Sequence, residues 1–158
     1  MKRKSVQFLV RAAIIAAVYA ALTILFAPIS YGLVQVRVSE ALCILPFFTV
    51  AAVPGLFIGC LIANLVAGLG ILDIVFGSLA TLVAAYITSK IKNKWLAPLP
   101  AVLVNAVVIG AMLYYLQIAP LPIWMFMIYV GVGQTVACYG IGMPLLFLLK
   151  KYRIKLFT

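Results

Sequence analysis

Residues 95–149 read WLAPLPAVLVNAVVIGAMLYYLQIAPLPIWMFMIYVGVGQTVACYGIGMPLLFLL, and none of these 55 positions carries a charge. A membrane-spanning helix needs about 20 apolar residues, so the stretch holds two of them. The break between them falls at Ala119-Pro120-Leu121-Pro122, because proline ends a helix but is tolerated in the first turn of the next. Basic residues close the stretch at both ends, with Lys90, Lys92 and Lys94 before it and Lys150, Lys151, Arg153 and Lys155 after it. Such residues are retained on the cytoplasmic side, so both flanks face one compartment and an even number of crossings separates them.

A third basic cluster, Lys2, Arg3, Lys4 and Arg11, opens the chain. By the same rule, residues 12–89 must also hold an even number of crossings. Breaks fall at Pro28-Ile29-Ser30-Tyr31-Gly32, at Val53-Pro54-Gly55 and at Gly68-Leu69-Gly70. They leave four apolar segments near 6–27, 40–53, 55–67 and 71–89. The middle two are short for a span and read either as short, steep crossings or as a re-entrant hairpin. Both readings keep the parity. The expectation is an all-α integral membrane protein, a single domain over residues 1–158, with six transmembrane helices and cytoplasmic termini. A basic start before an apolar run also fits a signal peptide, but no A-x-A site precedes Pro28, so the first helix is read as retained. Trp95 at the inner boundary, and Tyr114, Tyr115 and Trp124 at the outer one, fit an aromatic belt.

Composition agrees. Of 158 residues, 68% are hydrophobic and 9% charged, with a mean hydropathy of +1.30. That is too little polar side chain to cover a water-facing surface, and the length leaves no room for a soluble catalytic domain. With no His and two carboxylates in all, His-based triads and His zinc sites are excluded and no metal centre is expected. Cys43, Cys60 and Cys138 lie singly in apolar runs without CxxC spacing and read as small core residues. The net charge of +10 would suggest nucleic acid in a soluble protein, but eleven of the twelve basic residues sit in the three clusters that report topology.

Three charges remain: Arg37, Glu40 and Asp73. A charge at the centre of a span costs about 2.5–3.5 kcal/mol on insertion scales, so such residues usually mark a site. The span count puts all three, with Gln35, Asn64 and Gln117, toward the outer ends of their segments, while Asn105 and Gln134 fall within apolar segments. Structural readings stay open beside the functional one. Ser39 reads as an N-cap with Glu40 in the first turn, Asp73 as a second cap, and Arg37 as a partner for either carboxylate. Asn64, Asn105 and Gln134 can serve as interhelical hydrogen bonders. Taken together, one positive and two negative charges make a weakly anionic, partly apolar site suited to a neutral or cationic ligand with N–H donors. A guanine-like edge offers adjacent donors that a carboxylate accepts in bidentate fashion. Tyr31, Tyr115 and Trp124 are candidates to stack on a flat ring. On the first helix, Ala12, Ala16 and Ala20 form a small-residue ridge that admits another helix closely, and Gly55 to Gly59 is a GxxxG of similar meaning.

A longer pattern joins these features. Pro28-Ile29-Ser30-Tyr31-Gly32, Gln35, Arg37 and Ser39-Glu40-Ala41-Leu42 lead into Leu45-Pro46-Phe47-Phe48-Thr49, Pro54-Gly55 and Gly59-Cys60. Ala63-Asn64, Asp73, residues 76–82, Leu96-Ala97-Pro98-Leu99-Pro100, Asn105, Gly140, Gly142 and Pro144 follow. The whole resembles the QueT family of queuosine-precursor transporters, which group with the substrate-binding S components of energy-coupling factor transporters. The resemblance implies a six-helix S component in a prokaryotic inner membrane that captures a 7-deazaguanine outside the cell: the 7-aminomethyl or 7-cyano form, or queuine. It implies a transmembrane coupling protein and two cytoplasmic ATPases as partners, with ATP used by them and no cofactor on this chain. It implies that the Ala12, Ala16 and Ala20 ridge packs on the coupling protein. It also implies a site beneath the loop after the first helix, lined by the last three helices, with Gln35, Arg37, Glu40 and Asp73 in range. The resemblance also implies an acidic residue where Gln134 stands, and hence an amide contact to the ligand in place of a carboxylate one.

The chain has no GxxxxGK[ST] and does not power transport itself. Two other classes stay in play. A self-contained transporter or channel would use Glu40 and Asp73 for proton or cation coupling. A membrane-embedded enzyme would use them as acid and base, which the absence of His disfavours.

Overall fold

The computed structural model describes residues 2–30, 35–68 and 70–157. Those residues form helices joined by turns and short irregular stretches, with no strand among them. Helix α1 spans Lys2–Leu25, about 36 Å at 1.5 Å per residue. It stops short of Pro28, and a single turn, α2 (Ala27–Ser30), follows. A 3-10 helix covers Val38–Phe47. Helix α3 spans Ala52–Ala67 and ends on Gly68 in the left-handed region at φ 66°. Gly70 has φ 95°, so the break at 68–70 uses the conformations that glycine adopts without strain. Residues 71–90 form one rod in which Asp73–Gly77 is π-helical and α4 (Ser78–Lys90) completes it. Helix α5 spans Leu99–Tyr115 with Pro100 in its first turn. After Pro120 and Pro122, α6 (Ile123–Thr135), a π-helical turn (Val136–Ile141) and α7 (Gly142–Phe157) make a second continuous rod. Two stretches, Ser5–Leu25 and Ile123–Lys151, are long and apolar enough to cross a membrane.

The two short segments near 40–53 and 55–67 are resolved as unlike structures. The first is the 3-10 helix, about 20 Å long at 2.0 Å per residue. Every residue from Ser39 to Pro46 is buried. A helix buried on all sides is a core element rather than a lipid-facing one. A four-residue turn then leads into α3. Neither cap read from sequence forms. Ser39 lies inside the 3-10 helix with its hydroxyl against Thr23, and Asp73 sits within a continuous rod and makes no capping bond.

Neighbouring segments alternate in direction. Glu40 meets Tyr19 and Ser39 meets Thr23, so the 3-10 helix runs against α1. Asn64 bonds Asp73 and Cys60 meets Thr81, so 71–90 runs against α3. Gly110 packs on Met127 and Gly131 on Ala106, so α6 runs against α5. Helices α1 and α3 are parallel and very close. A Cβ on Gly55 would lie 2.8 Å from the Ala12 carbonyl, and one on Gly59 would lie 2.8 Å from both the Ala16 carbonyl and the Tyr19 Cβ.

This contact corrects one expectation. Ala12, Ala16 and Ala20 are buried against α3, so the ridge serves packing within the chain and is not open to a coupling protein. The adjacent row, Ala13, Ala17 and Ala21, is exposed.

The basic clusters gather at one end. Arg11 and Leu149 line the same groove, and Lys94 lies 4.9 Å from the Phe147 ring centroid and 5.5 Å from that of Trp95. Large apolar side chains cover the outside, from Leu25 and Ile71 to Leu103 and Ile128. A water-soluble surface does not carry apolar cover on this scale.

Candidate functional site

Most of the buried polar residues lie in the half of the bundle away from the basic clusters, with Thr88, beside Lys90, at the other end. Arg37 follows an extended stretch and enters the 3-10 helix at φ −81°, ψ 105°. Its side chain turns inward, with Nε donating to the Ser30 carbonyl at 3.3 Å and Nη2 lying 3.6 Å from Asp73 Oδ1. Both side chains of this ion pair are under 10% exposed. Breaking a buried pair leaves an uncompensated charge, so the two residues hold each other in place.

Glu40 has a different partner. The Tyr19 hydroxyl donates to its Oε1 at 2.5 Å, and both residues are essentially inaccessible. Tyr19 is held in turn by the packing of α1 on Gly59. One turn on, Thr23 Oγ1 lies 2.9 Å from the Tyr19 carbonyl and 2.6 Å from Ser39 Oγ. A hydroxyl donates once, so Thr23 donates to the carbonyl while accepting from Ser39.

Cys60 links the elements. Arg37 Nη1 at 4.0 Å, Asn64 Nδ2 at 3.6 Å and Thr81 Oγ1 at 3.4 Å all point at its sulfur. Asn64 Nδ2 also donates to the Asp73 carbonyl at 3.1 Å. From α6, Gln134 joins through Cys138, whose sulfur is 3.6 Å from both Gln134 Oε1 and the Glu40 carbonyl. The Gln35 backbone crosses Gly133 so closely that a Cβ there would overlap its carbonyl.

The structure therefore brings Arg37, Glu40, Asn64 and Asp73 into one buried network, with Gln35 and Gln134 at its α6 side. Asn105 is buried on the inward face of α5 and makes no hydrogen bond to this network among the described residues. The stacking candidates separate from it. Tyr115 is 78% exposed beside Tyr114, and Trp124 is 58% exposed. Both face outward, which fits the boundary belt and not a ring-binding role in the core. Tyr31 lies outside the described residues. Sequence reasoning missed Tyr19, Thr23, Cys60, Ser78 and Thr81. Tyr19 and Thr23 carried a signal, because 12, 16, 19 and 23 recur at helical spacing on the buried ridge.

The network is tightly closed. The gap lined by Tyr19, Glu40, Cys43, Leu56, Thr81 and Ala101 is too narrow for a water molecule. Larger spaces lie elsewhere: an apolar groove of about 470 Å³ between Leu72, Phe76, Val107 and Tyr115, and one of about 340 Å³ at Arg11, Ile15, Leu45 and Leu149. Among the described residues, no three His, Cys, Asp or Glu side chains come together to hold a metal. Chemically, the network gathers hydrogen-bond acceptors and one guanidinium in a space shielded from water.

Residues 9–151 match the family described as QueT transporter. A stretch of 85 residues is 39% identical to the Queuosine precursor transporter QueT of Lactococcus lactis subsp. cremoris, covering 52% of this chain and 50% of that protein. The match thus spans about half the length of that relative. No solved structure matches the chain.

Proposed function

The chain belongs to the QueT transporter family, and from that membership we propose that it is the substrate-binding S component of an energy-coupling factor importer. It captures a 7-deazaguanine queuosine precursor at the outer face of a prokaryotic inner membrane. The observation that carries this reading is the buried network of Arg37, Glu40, Asn64 and Asp73 in a chain that is otherwise apolar. Its acceptors suit the N–H edge of a guanine-type ring, and burial excludes the water that would compete for that edge.

The alternating segments and the common end of the basic clusters support a reading of six crossings with both termini inside, with the 3-10 helix as the second crossing. Its shortness is tolerated because protein surrounds it on all sides. The coupling protein docks on α1, on the exposed row of Ala13, Ala17 and Ala21, and two cytoplasmic ATPases drive reorientation of the loaded bundle. Capture closes the loop after α1, whose Gln35 backbone already lies on α6. Titration of the purified chain with a 7-deazaguanine panel tests the reading. Asp73→Ala is expected to weaken binding directly and Glu40→Ala only through the 3-10 helix that Glu40 anchors to Tyr19, whereas unchanged affinity in both would remove the carboxylates from the site.

One observation favours a second reading. The Tyr19–Glu40 contact is a buried protonatable pair of the kind that proton-coupled transporters use. Uptake by the chain alone in liposomes, driven by a pH gradient without ATPase partners, would establish it over the first.

A further inference from the structure

The network contains polar atoms that the protein leaves unanswered. Asn64 Oδ1 and Ser78 Oγ are buried without a hydrogen-bond partner among the described residues, and Asp73 Oδ1 has no hydrogen bond beyond its 3.6 Å ion pair with Arg37. Native proteins bond almost all such atoms, so three within one small region require a reason. Asn64 and Asp73 come together where the end of α3 meets the start of the 71–90 rod, and Ser78 lies on the same rod directly after the π-helical turn. Asn64 Nδ2 donates to the Asp73 carbonyl at 3.1 Å. A Cβ on Gly77 would lie 2.9 Å from Asn64 Nδ2 and 3.5 Å from Asp73 Oδ1, so that side of the rod faces the amide and the carboxylate together. The π-helical turn adds Ser78. Its i→i+5 bonding sets Asp73 and Ser78 one turn apart, where an α-helix would rotate them away from each other.

Glu40 is unlike these residues because the Tyr19 hydroxyl already occupies its Oε1. A metal cation is a poor occupant for the three oxygens, since the Arg37 guanidinium lies 3.6 Å from Asp73 Oδ1. Its charge repels a cation but tolerates a neutral donor edge.

We propose that Asn64, Asp73 and Ser78 form the subsite that reads the donor edge of the ligand, and that Ser78 is a specificity-determining residue within it. The subsite takes a planar heteroaromatic ring with a ring N–H beside an exocyclic amino group. That edge presents three N–H bonds, for which the Asp73 carboxylate, Asn64 Oδ1 and Ser78 Oγ are the acceptors. The carboxylate of Asp73 accepts two of them side by side, and Asn64 Oδ1 or Ser78 Oγ accepts the third. Glu40, held by Tyr19, positions the 3-10 helix and does not read the edge. This inference rests on the function proposed above.

The test compares two ligands on the purified full-length chain: 7-aminomethyl-7-deazaguanine and its analogue lacking the exocyclic amino group. The wild type is expected to bind the analogue at least about tenfold more weakly. In Ser78→Ala the parent ligand weakens by about two- to tenfold and the gap between the two ligands shrinks, because the variant has lost one of the oxygens the amino group would meet. Glu40→Gln keeps the full gap. Asp73→Asn also narrows it, and thermal unfolding of each variant confirms folding, with Ser78→Ala carrying the result if Asp73→Asn does not fold. A gap unchanged in Ser78→Ala and erased by Glu40→Gln would overturn the assignment. Tight, equal binding of both ligands to the wild type would sink the subsite while leaving the proposed function intact. Failure of the folded wild type to bind either ligand would remove the proposed function and this inference with it.

Discussion

The chain has two acidic residues, and the fold treats them differently. Asp73, in the 71–90 rod, pairs with the Arg37 guanidinium at the start of the 3-10 helix, and its Oδ1 has no hydrogen bond beyond that ion pair. Glu40 pairs with a neutral phenol from the neighbouring helix and is sealed in a gap that admits no water. Two carboxylates in one membrane protein therefore need not share a role. One is balanced in charge and open in hydrogen bonding, as a binding group should be. The other is closed in hydrogen bonding and ties α1 to the buried 3-10 helix.

The contrast can be broken most forcefully at Arg37. Arg37→Ala leaves Asp73 buried without its counter-charge, and a loss of about 3–5 kcal/mol in stability is expected by denaturation in detergent. An equal loss in the double variant with Asp73→Asn would show that the pair is not the source. Next in size is Gly59→Val, which drives a side chain into the Ala16 carbonyl and the Tyr19 Cβ. Overpacking costs about 1–3 kcal/mol, and here it also pushes Tyr19 away from Glu40. Tyr19→Phe isolates that second effect. It leaves Glu40 without its donor and should cost about 1–3 kcal/mol, with ligand selectivity retained. Full selectivity loss in Tyr19→Phe would place Glu40 at the ligand after all. Smallest is Ala17→Leu on the exposed row of α1, where stability should change by less than about 0.5 kcal/mol. Co-purification with the energy-coupling partners should nevertheless fall.

Much of the architecture could be read from the residues because the bilayer constrains them severely. Basic clusters, proline pairs and the Gly68–Gly70 break mark segment ends by rules that hold without tertiary knowledge. The 3-10 helix was beyond such rules. Its sequence, VSEALCILPF, is apolar enough for a span and too short for one, and only the neighbours on every side decide its form. The alanine ridge shows the same limit. Spacing revealed that Ala12, Ala16 and Ala20 share a face, but not that Gly55 and Gly59 of the same chain would fill it. In the site, charge in an apolar context found Arg37, Glu40 and Asp73, because a buried charge is rare enough to be informative. Tyr19, Cys60 and Ser78 look like ordinary core or helix residues, and only contact across the bundle gives them a role. The exposed Tyr115 and Trp124 illustrate the reverse case, in which an aromatic near the right depth faces outward.

The most direct test of the account is a calorimetric titration of 7-aminomethyl-7-deazaguanine into the folded wild type, Asp73→Asn and Glu40→Gln. The account predicts that the wild type binds, that Asp73→Asn loses about ten- to a hundredfold in affinity, and that Glu40→Gln loses far less. Equal losses in the two variants, or a greater loss in Glu40→Gln, would contradict it.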